Sequence, residues 1–172
     1  MSPRLVSLVT PCYNEEESLP TYFQRVEELR VDLSARDVDL EVVLVDDGSS
    51  DRTWSLLETH SRANANINIV RHDRNGGFGK ALQTGLGRAN GDTVVTVDAD
   101  SNYDLREAVQ MLDFIDDGAD VVTASPFVKG AEWDYPAHRY VLSKSLVLLY
   151  RLVLGPKVQP LSVYTCGVVN AV

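Results

Sequence analysis

Two aspartates separated by one small residue, Asp98-Ala99-Asp100, directly follow a β-branched run in the sequence. In an extended backbone, residues two apart point to the same side, so both carboxylates could face one cation. Mg²⁺ and Mn²⁺ prefer hard oxygen ligands, and Mg²⁺ often takes one or two carboxylates together with phosphate oxygens. The triplet therefore predicts a divalent-metal site, and the alternative is a solvated turn that leads into a helix cap at Asp104.

A second acidic segment, residues 46–51, ends another apolar run. A carboxylate at this point could accept hydrogen bonds from a nucleobase N–H or from ribose hydroxyls. A turn followed by a helix cap at Asp51 explains the residues from Gly48 onward. It explains less well why two adjacent acids, Asp46 and Asp47, end a buried strand.

Two further polar segments have adequate structural explanations. Asn14 and Glu17 fit a capping box at the start of a helix, and an isolated aromatic such as Tyr13 more often packs than stacks on a base. Residues 74–80 are rich in glycine but match neither the Walker pattern nor the dinucleotide-binding pattern. A turn before a tightly packed helix is the default prediction for them.

Alternating β-branched runs and helical apolar stripes indicate the elements that position these four segments. The predicted strands span residues 5–10, 40–45, 67–70, 93–97 and 121–124. Strand–helix alternation of this kind implies an α/β fold with a mostly parallel sheet and right-handed crossovers. Ligands of such sheets bind beyond the carboxyl ends of the strands, and all four polar segments fall there.

Composition limits the class of protein but leaves its function open. The chain has 172 residues, of which 44% are hydrophobic and 24% charged, as in an ordinary soluble domain. Its formal net charge of -9 argues against a nucleic-acid partner. The three histidines have no metal-ligand spacing. Two distant cysteines and the absence of a signal-peptide pattern predict a cytoplasmic protein.

An apolar segment at residues 140–154 carries two cations, Lys144 and Arg151. It is too short to span a bilayer, which needs about 20 residues. It could lie in a membrane interface with its cations near lipid phosphates, or it could be a buried core helix. The sequence alone leaves both interpretations open.

Taken in order, four motifs resemble those of family 2 glycosyltransferases of the GT-A fold. The motifs are Pro11-Cys12-Tyr13-Asn14-Glu15, Val45-Asp46-Asp47-Gly48-Ser49, Asn75-Gly76-Gly77 with Lys80-Ala81, and Asp98-Ala99-Asp100. The resemblance runs from about Leu5 to Gly167 and is greatest to polyprenol-phosphate (dolichol-phosphate) mannosyl- and glucosyltransferases. It implies a single GT-A (Rossmann-like) nucleotide-sugar-binding domain over residues 1–172, with a mostly parallel sheet and helices on both faces. We expect the usual C-terminal part of the family to be missing.

The same resemblance implies which residues form the site. The residues that would hold the nucleoside are Pro11, Tyr13, Glu15, Val45 and Asp47. Asp98 and Ala99 would line the donor pocket, and Asp100 would be a ligand of Mg²⁺ or Mn²⁺. Asn102 stands where relatives often carry Gln, beside that metal. Arg139, followed by Ser143, matches the basic position that meets the diphosphate or the acceptor phosphate.

The implied reaction moves a sugar from a nucleotide-diphosphate sugar to a lipid-linked phosphate, a polyprenyl or dolichyl phosphate, with inversion at the anomeric carbon. Asp100 and Arg139 would carry the catalysis, and the metal would neutralise the diphosphate leaving group. A phosphate acceptor is already ionised near neutral pH, so no strong general base is required. Residues 140–154 would give peripheral contact with the cytoplasmic face of a membrane.

Two alternatives follow from departures and gaps in this pattern. A family 2 transferase that elongates a glycan would need a carboxylate base, for which Glu132 and Asp134 are the nearest candidates. A non-catalytic nucleotide-sugar-binding module is the other. It is suggested by Ala124-Ser125-Pro126, which stands where relatives commonly have Gly-Ser-Arg.

Overall fold

Strands and helices alternate along the chain as predicted. A computed structural model describes residues 4–100 and 104–123, and the backbone of residues 167–170. In chain order these residues form the elements β1 (Arg4–Cys12), α1 (Leu19–Ser34), β2 (Val38–Asp46), α2 (Thr53–Ala63), β3 (Ile67–Arg71), α3 (Phe78–Leu86), β4 (Thr93–Thr96), α4 (Glu107–Asp116), β5 (Val121–Thr123) and β6 (Gly167–Asn170). They belong to one compact unit. The single domain over residues 1–172 stays a prediction, because residues 124–166 lie outside the described part.

The six strands of the described residues join one sheet in the order β3-β2-β1-β4-β6-β5. β1 pairs in parallel with β2 and β4, and β2 pairs in parallel with β3. β6 runs antiparallel between β4 and β5. The predicted mostly parallel sheet is therefore confirmed. β6 was not predicted, because its two valines stand between a glycine and an asparagine, two residue types that are depleted in strands.

Helices cover both faces of this sheet, as predicted. The hydroxyl groups of Thr10 in β1 and Tyr22 in α1 form a hydrogen bond of 2.8 Å. On the adjacent residue of β1, the Val9 side chain lies against α3, where a Cβ built at Gly85 would collide with it. Successive residues of a strand point to opposite faces, so α1 and α3 lie on opposite sides of the sheet. Residues 40–45 of β2 are accordingly all buried.

A buried carboxylate in β2 ties the strands together. Glu41 is 8% exposed, and its Oε2 accepts hydrogen bonds from Ser7 Oγ (2.5 Å) and from the Asn90 N–H (2.9 Å). Its Oε1 accepts from Asn68 Nδ2 (2.9 Å) and from Asn90 Nδ2 (2.7 Å). Burial alone would raise the pKa of Glu41, but these hydrogen bonds outweigh it and leave the pKa below its usual value. Glu41 thus links β1, β2 and β3 to the loop that precedes β4.

Candidate functional site

Carboxylates that follow β1 and β4 lie close enough to affect one another's ionisation. Burial raises the pKa of Asp98, and the negative charge of Asp100 raises it further. Burial also raises the pKa of Glu15, a hydrogen bond with Ser18 lowers it, and the charges of Asp100 and other nearby acids raise it again. A cation placed among these groups would relieve their repulsion and favour the ionised forms.

Asp98 has an unused acceptor. Its Oδ1 atom is buried and has no hydrogen-bond partner within the described ranges. A buried polar atom of this kind is costly unless a ligand satisfies it, and carboxylate oxygens suit Mg²⁺ and Mn²⁺. Ala99 is buried and Asp100 is exposed, so the second carboxylate faces solvent. Asp104 accepts a hydrogen bond from the Arg106 N–H at 3.0 Å, just before α4. The alternative of a turn that leads into a helix cap therefore accounts for Asp104, but it does not explain the unpartnered oxygen of Asp98.

The two aspartates fit a divalent cation that shares its coordination with phosphate oxygens. Within the part of the chain that the structure describes, no group of three or more His, Cys, Asp or Glu side chains could hold a metal on its own. A ligand that brings its own oxygens, such as a diphosphate, would therefore have to complete the coordination. The role of Asp100 as a metal ligand stays a prediction.

The loop after β1 is fixed by the loop after β2. The Asn14 N–H donates to Ser49 Oγ at 3.0 Å, and Asn14 Oδ1 accepts from the Ser50 N–H at 2.9 Å. Asn14 adopts a φ of 57°, in the left-handed region that asparagine tolerates. The capping box predicted for Asn14 and Glu17 is therefore wrong, because the Asn14 side chain satisfies a neighbouring loop instead of its own helix.

Asp51 connects the same two loops. Its Oδ1 accepts from the Thr53 N–H (2.9 Å) at the start of α2, and its Oδ2 accepts from the Glu16 N–H (3.1 Å). The hydroxyl of Thr53 in turn accepts from the Glu15 N–H at 2.8 Å. Asp51 therefore binds the first N–H of α2 from the position before the N-cap, which is Arg52, so the predicted cap at Asp51 lies one residue too early. The added contact with Glu16 helps to hold Glu15 at the edge of the sheet.

Asp46 is a structural anchor at the end of β2. It is fully buried, and its Oδ1 accepts from the Ser49 N–H at 2.9 Å. Its Oδ2 lies 3.2 Å from Arg71 Nε in an ion pair that lacks hydrogen-bond geometry. The Arg71 guanidinium also lies over the Trp54 ring, 5.3 Å from its centroid. The first acid of the pair is thus explained by the local structure.

Asp47 anchors the glycine-rich loop that follows β3. Its Oδ1 lies 2.6 Å from His72 Nδ1 and accepts from the Gly76 N–H at 3.0 Å. Its Oδ2 accepts from the same Gly76 N–H at 3.1 Å and from the Gly77 N–H at 2.7 Å. These four contacts from three donors engage the roughly four acceptor positions of the carboxylate, and Asp47 is 2% exposed. The role of Asp47 toward a nucleoside stays a prediction, and the loop contact is a finding.

Gly48 brings the loops after β2 and β3 into contact. It has a φ of +72°, and a Cβ at this position would lie 2.6 Å from the Arg74 carbonyl carbon and 2.7 Å from the Asn75 nitrogen. Only glycine satisfies both the backbone conformation and the close approach. The two segments that were identified separately in the sequence therefore form one packed unit.

The remaining predicted residues occupy different environments. Pro11 is half-buried and pairs with Val45 in the parallel register of β1 and β2. The Val45 side chain is buried below α3, so a nucleoside could reach this residue only through its backbone. Tyr13 is 47% exposed and free to contact a ligand. Asn102 and Arg139 lie outside the described residues, as do Glu132, Asp134 and Ser143.

His72 is a further residue at this edge that was not predicted from the sequence, where the histidines were considered only as metal ligands. His72 directly follows β3, at the same edge of the sheet as the four polar segments. Its backbone N–H donates to the Asp46 carbonyl at 2.8 Å. The rule that selects residues at the carboxyl ends of parallel strands would have included it.

Comparison with known proteins yields consistent similarities. The family model described as "Glycosyl transferase family 2" matches residues 7–167. The chain is 31% identical over 155 residues to a dolichol-phosphate mannosyltransferase of Pyrococcus furiosus. The matched segment covers 90% of this chain and 42% of the relative. It is 41% identical over 121 residues to an undecaprenyl-phosphate 4-deoxy-4-formamido-L-arabinose transferase of Pectobacterium carotovorum. That matched segment covers 68% of this chain and 35% of the relative.

A solved structure supports the same fold. The mannosyltransferase PcManGT from Pyrobaculum calidifontis, in complex with GDP-Man and Mn²⁺, shows 26% identity and a TM-score of 0.59, and the match covers 73% of this chain and 36% of that one. The predicted GT-A fold is confirmed. The chain spans less than half the length of each of these three proteins.

Proposed function

The chain belongs to glycosyl transferase family 2, and from this premise we propose that it binds the donor in a metal-dependent hexosyl transfer. The proposed donor is a nucleotide-diphosphate sugar. The proposed acceptor is a polyprenyl or dolichyl phosphate, and the transfer inverts the anomeric carbon. Two similar proteins carry names that specify dolichol phosphate and undecaprenyl phosphate as acceptors, which supports a lipid phosphate over a growing glycan.

One observation carries the proposal: the buried, unpartnered Oδ1 of Asp98 lies beside the exposed Asp100 at the carboxyl end of β4. The negative charges of Asp98 and Asp100 raise the pKa of Glu15, so these three carboxyl groups disfavour one another's ionised forms. Such an arrangement is unfavourable unless a cation binds there. In this proposal Asp100 is a ligand of Mg²⁺ or Mn²⁺, with Asn102 beside it, while Asp98 and Ala99 line the donor pocket.

The metal would supply charge neutralisation for the diphosphate leaving group. The protein groups would bind and orient the nucleoside. Tyr13 offers an exposed ring, the backbone of Glu15 is held by Thr53 at the start of α2, and Asp47 holds the glycine-rich loop beside the proposed nucleoside position. Arg139 would meet the diphosphate or the acceptor phosphate. The ionised acceptor phosphate needs no strong base from the protein.

A lipid-linked acceptor would place the reaction at a membrane surface. Among the residues that the structure describes, no helix is long and apolar enough to cross a bilayer. We propose peripheral contact with the cytoplasmic face of the membrane through residues 140–154.

Titration calorimetry with UDP and GDP, each with and without Mn²⁺, tests the metal role. Asp100→Ala should remove the Mn²⁺-dependent gain in affinity, which we expect to be about tenfold or more in the parent. The matched control is Asp39→Ala, which removes an exposed aspartate at the amino end of β2, away from the site. Equal Mn²⁺ dependence in the parent and in Asp100→Ala would contradict the assignment.

Transfer assays then separate the alternatives. Product formed from a nucleotide-sugar donor and a short polyprenyl phosphate supports the proposal. Transfer only to soluble sugars, with a pH profile that shows a carboxylate base, would favour the glycan-elongating alternative. Nucleotide binding without turnover of any donor would favour the non-catalytic module.

A further inference from the structure

We propose that His72 is a positioning residue that holds Asp47, and through it the loop of residues 74–77, in the geometry that binds a nucleoside diphosphate. The inference deepens the proposed function and rests on it. Nothing in the sequence motifs assigns a role to this histidine, which stands before the glycine-rich segment.

A continuous chain of hydrogen bonds passes through the His72 ring. Nδ1 lies 2.6 Å from Asp47 Oδ1, and Nε2 lies 3.0 Å from Thr84 Oγ1 in α3. Asp47 then accepts from the N–H groups of Gly76 and Gly77. The chain therefore joins the end of β2, the residue after β3, the glycine-rich loop and the body of α3.

The backbone of His72 is as firmly held as its ring. Its N–H donates to the Asp46 carbonyl at 2.8 Å, which continues the parallel ladder between β2 and β3 beyond the last residue of β3. The ring has no freedom to leave Asp47 without also breaking the contact with Thr84. A residue held by its backbone and by both nitrogens of its ring is suited to orient its neighbour.

Asp47 needs this support because it is 2% exposed and charged. Burial raises the pKa of Asp47, but the hydrogen bonds from Gly76, His72 and Gly77 outweigh it and lower the pKa overall. Gly76 and Gly77 belong to an exposed loop that precedes α3, and the N–H groups of both residues donate to Asp47. Without His72, the carboxylate loses its shortest hydrogen bond and is free to turn away from the loop.

Four variants test the role. His72→Leu removes both ring contacts, whereas His72→Asn keeps a donor that can reach Asp47. Thr84→Val removes only the second contact of the ring. His60→Leu is the matched control, because His60 stacks on Phe23, 3.6 Å between centroids, in another part of the fold.

Calorimetry with UDP and GDP in the presence of Mg²⁺ provides the first readout. His72→Leu should weaken binding by about tenfold, which corresponds to the loss of one hydrogen bond to a charged group. His72→Asn should recover most of that loss, Thr84→Val should lie between them, and His60→Leu should bind as the parent does. A purely structural role would lower the melting temperature of the ligand-free variants without this order of affinities.

Hydrogen exchange of the Gly76 and Gly77 amides, measured without ligand, provides the second readout. Both should exchange faster in His72→Leu and in Thr84→Val than in the parent. If His72→Leu does not fold, Thr84→Val decides the question by the same two measurements. Parent-like affinity and parent-like exchange in Thr84→Val, or in a folded His72→Leu, would overturn the inference. A parent that binds neither UDP nor GDP would instead refute the proposed function, and the exchange experiment would still test the positioning of the loop.

Discussion

Replacing Glu41 by Gln should destabilise the fold by about 2–4 kcal/mol without altering the sheet topology. The carboxylate receives four hydrogen bonds from three residues, Ser7, Asn68 and Asn90. Gln has nearly the same shape but presents an NH₂ group in place of one oxygen. At least one donor of the cluster must then oppose another donor.

The magnitude follows from the atoms involved. With the NH₂ group in the place of Oε2, the Ser7 hydroxyl can rotate to accept, but the Asn90 N–H cannot. A buried donor left unsatisfied costs about 1–3 kcal/mol. The remaining hydrogen bonds lose their charge assistance, which adds about 1 kcal/mol. For a chain of this size the sum should lower Tm by about 5–15 °C.

The pH dependence isolates the charge. Because the folded-state pKa of Glu41 is lowered, its contribution to stability is present above its unfolded-state pKa of about 4.3 and is lost as pH falls through the folded-state pKa. The difference in unfolding free energy between the parent and Glu41→Gln should therefore be largest above about pH 6 and shrink below about pH 4. Other acids titrate equally in both proteins and cancel in this difference.

Urea unfolding followed by circular dichroism at several pH values measures the effect. Glu17→Gln is the matched control, since Glu17 is exposed and the substitution removes the same charge. It should change stability by less than about 0.5 kcal/mol. If Glu41→Gln is as stable as this control at pH 7, or if the difference does not depend on pH, the account of a buried ionised carboxylate is refuted.

Two further predictions concern the site and its support. Asp47→Asn should weaken binding of nucleoside diphosphates more than Asp51→Asn does. At position 51 the Asn oxygen can still accept from the Thr53 N–H, whereas at position 47 the Asn NH₂ group would oppose the glycine N–H groups. Calorimetry that gives the reverse order would contradict this prediction. Gly85→Ala should destabilise by about 1–2 kcal/mol in thermal unfolding, because its Cβ would collide with Val9 and lie 3.3 Å from Val45 Cγ2. Gly79→Ala in the same helix meets nothing within 4 Å and should be neutral or stabilising, so equal losses in the two variants would be evidence against close packing as the cause.

The sequence by itself determined the described elements other than β6 and the edge of the sheet at which the candidate site lies. Apolar side chains repeat with period 3.6 in α1 and form an almost continuous run in β2, and these local patterns reflect which faces are buried. Parallel strands bring their carboxyl ends to one edge, so the positions of Asp47 and Asp98 followed from the order of the elements alone.

Only the tertiary structure decided what the individual polar side chains do at that edge. Asn14 binds Ser50 instead of capping its own helix, and Asp47 binds His72 and the glycine-rich loop. Asp46 and Asp47 are adjacent in sequence, yet one pairs with Arg71 and the other anchors the loop before α3. Local rules consider partners within one turn of a helix or one pair of strands, whereas these partners come from separate segments that meet only after the sheet has formed. Whether each hydrogen bond forms depends on differences of a few tenths of an ångström in the donor–acceptor distance, which residue types and spacing do not encode.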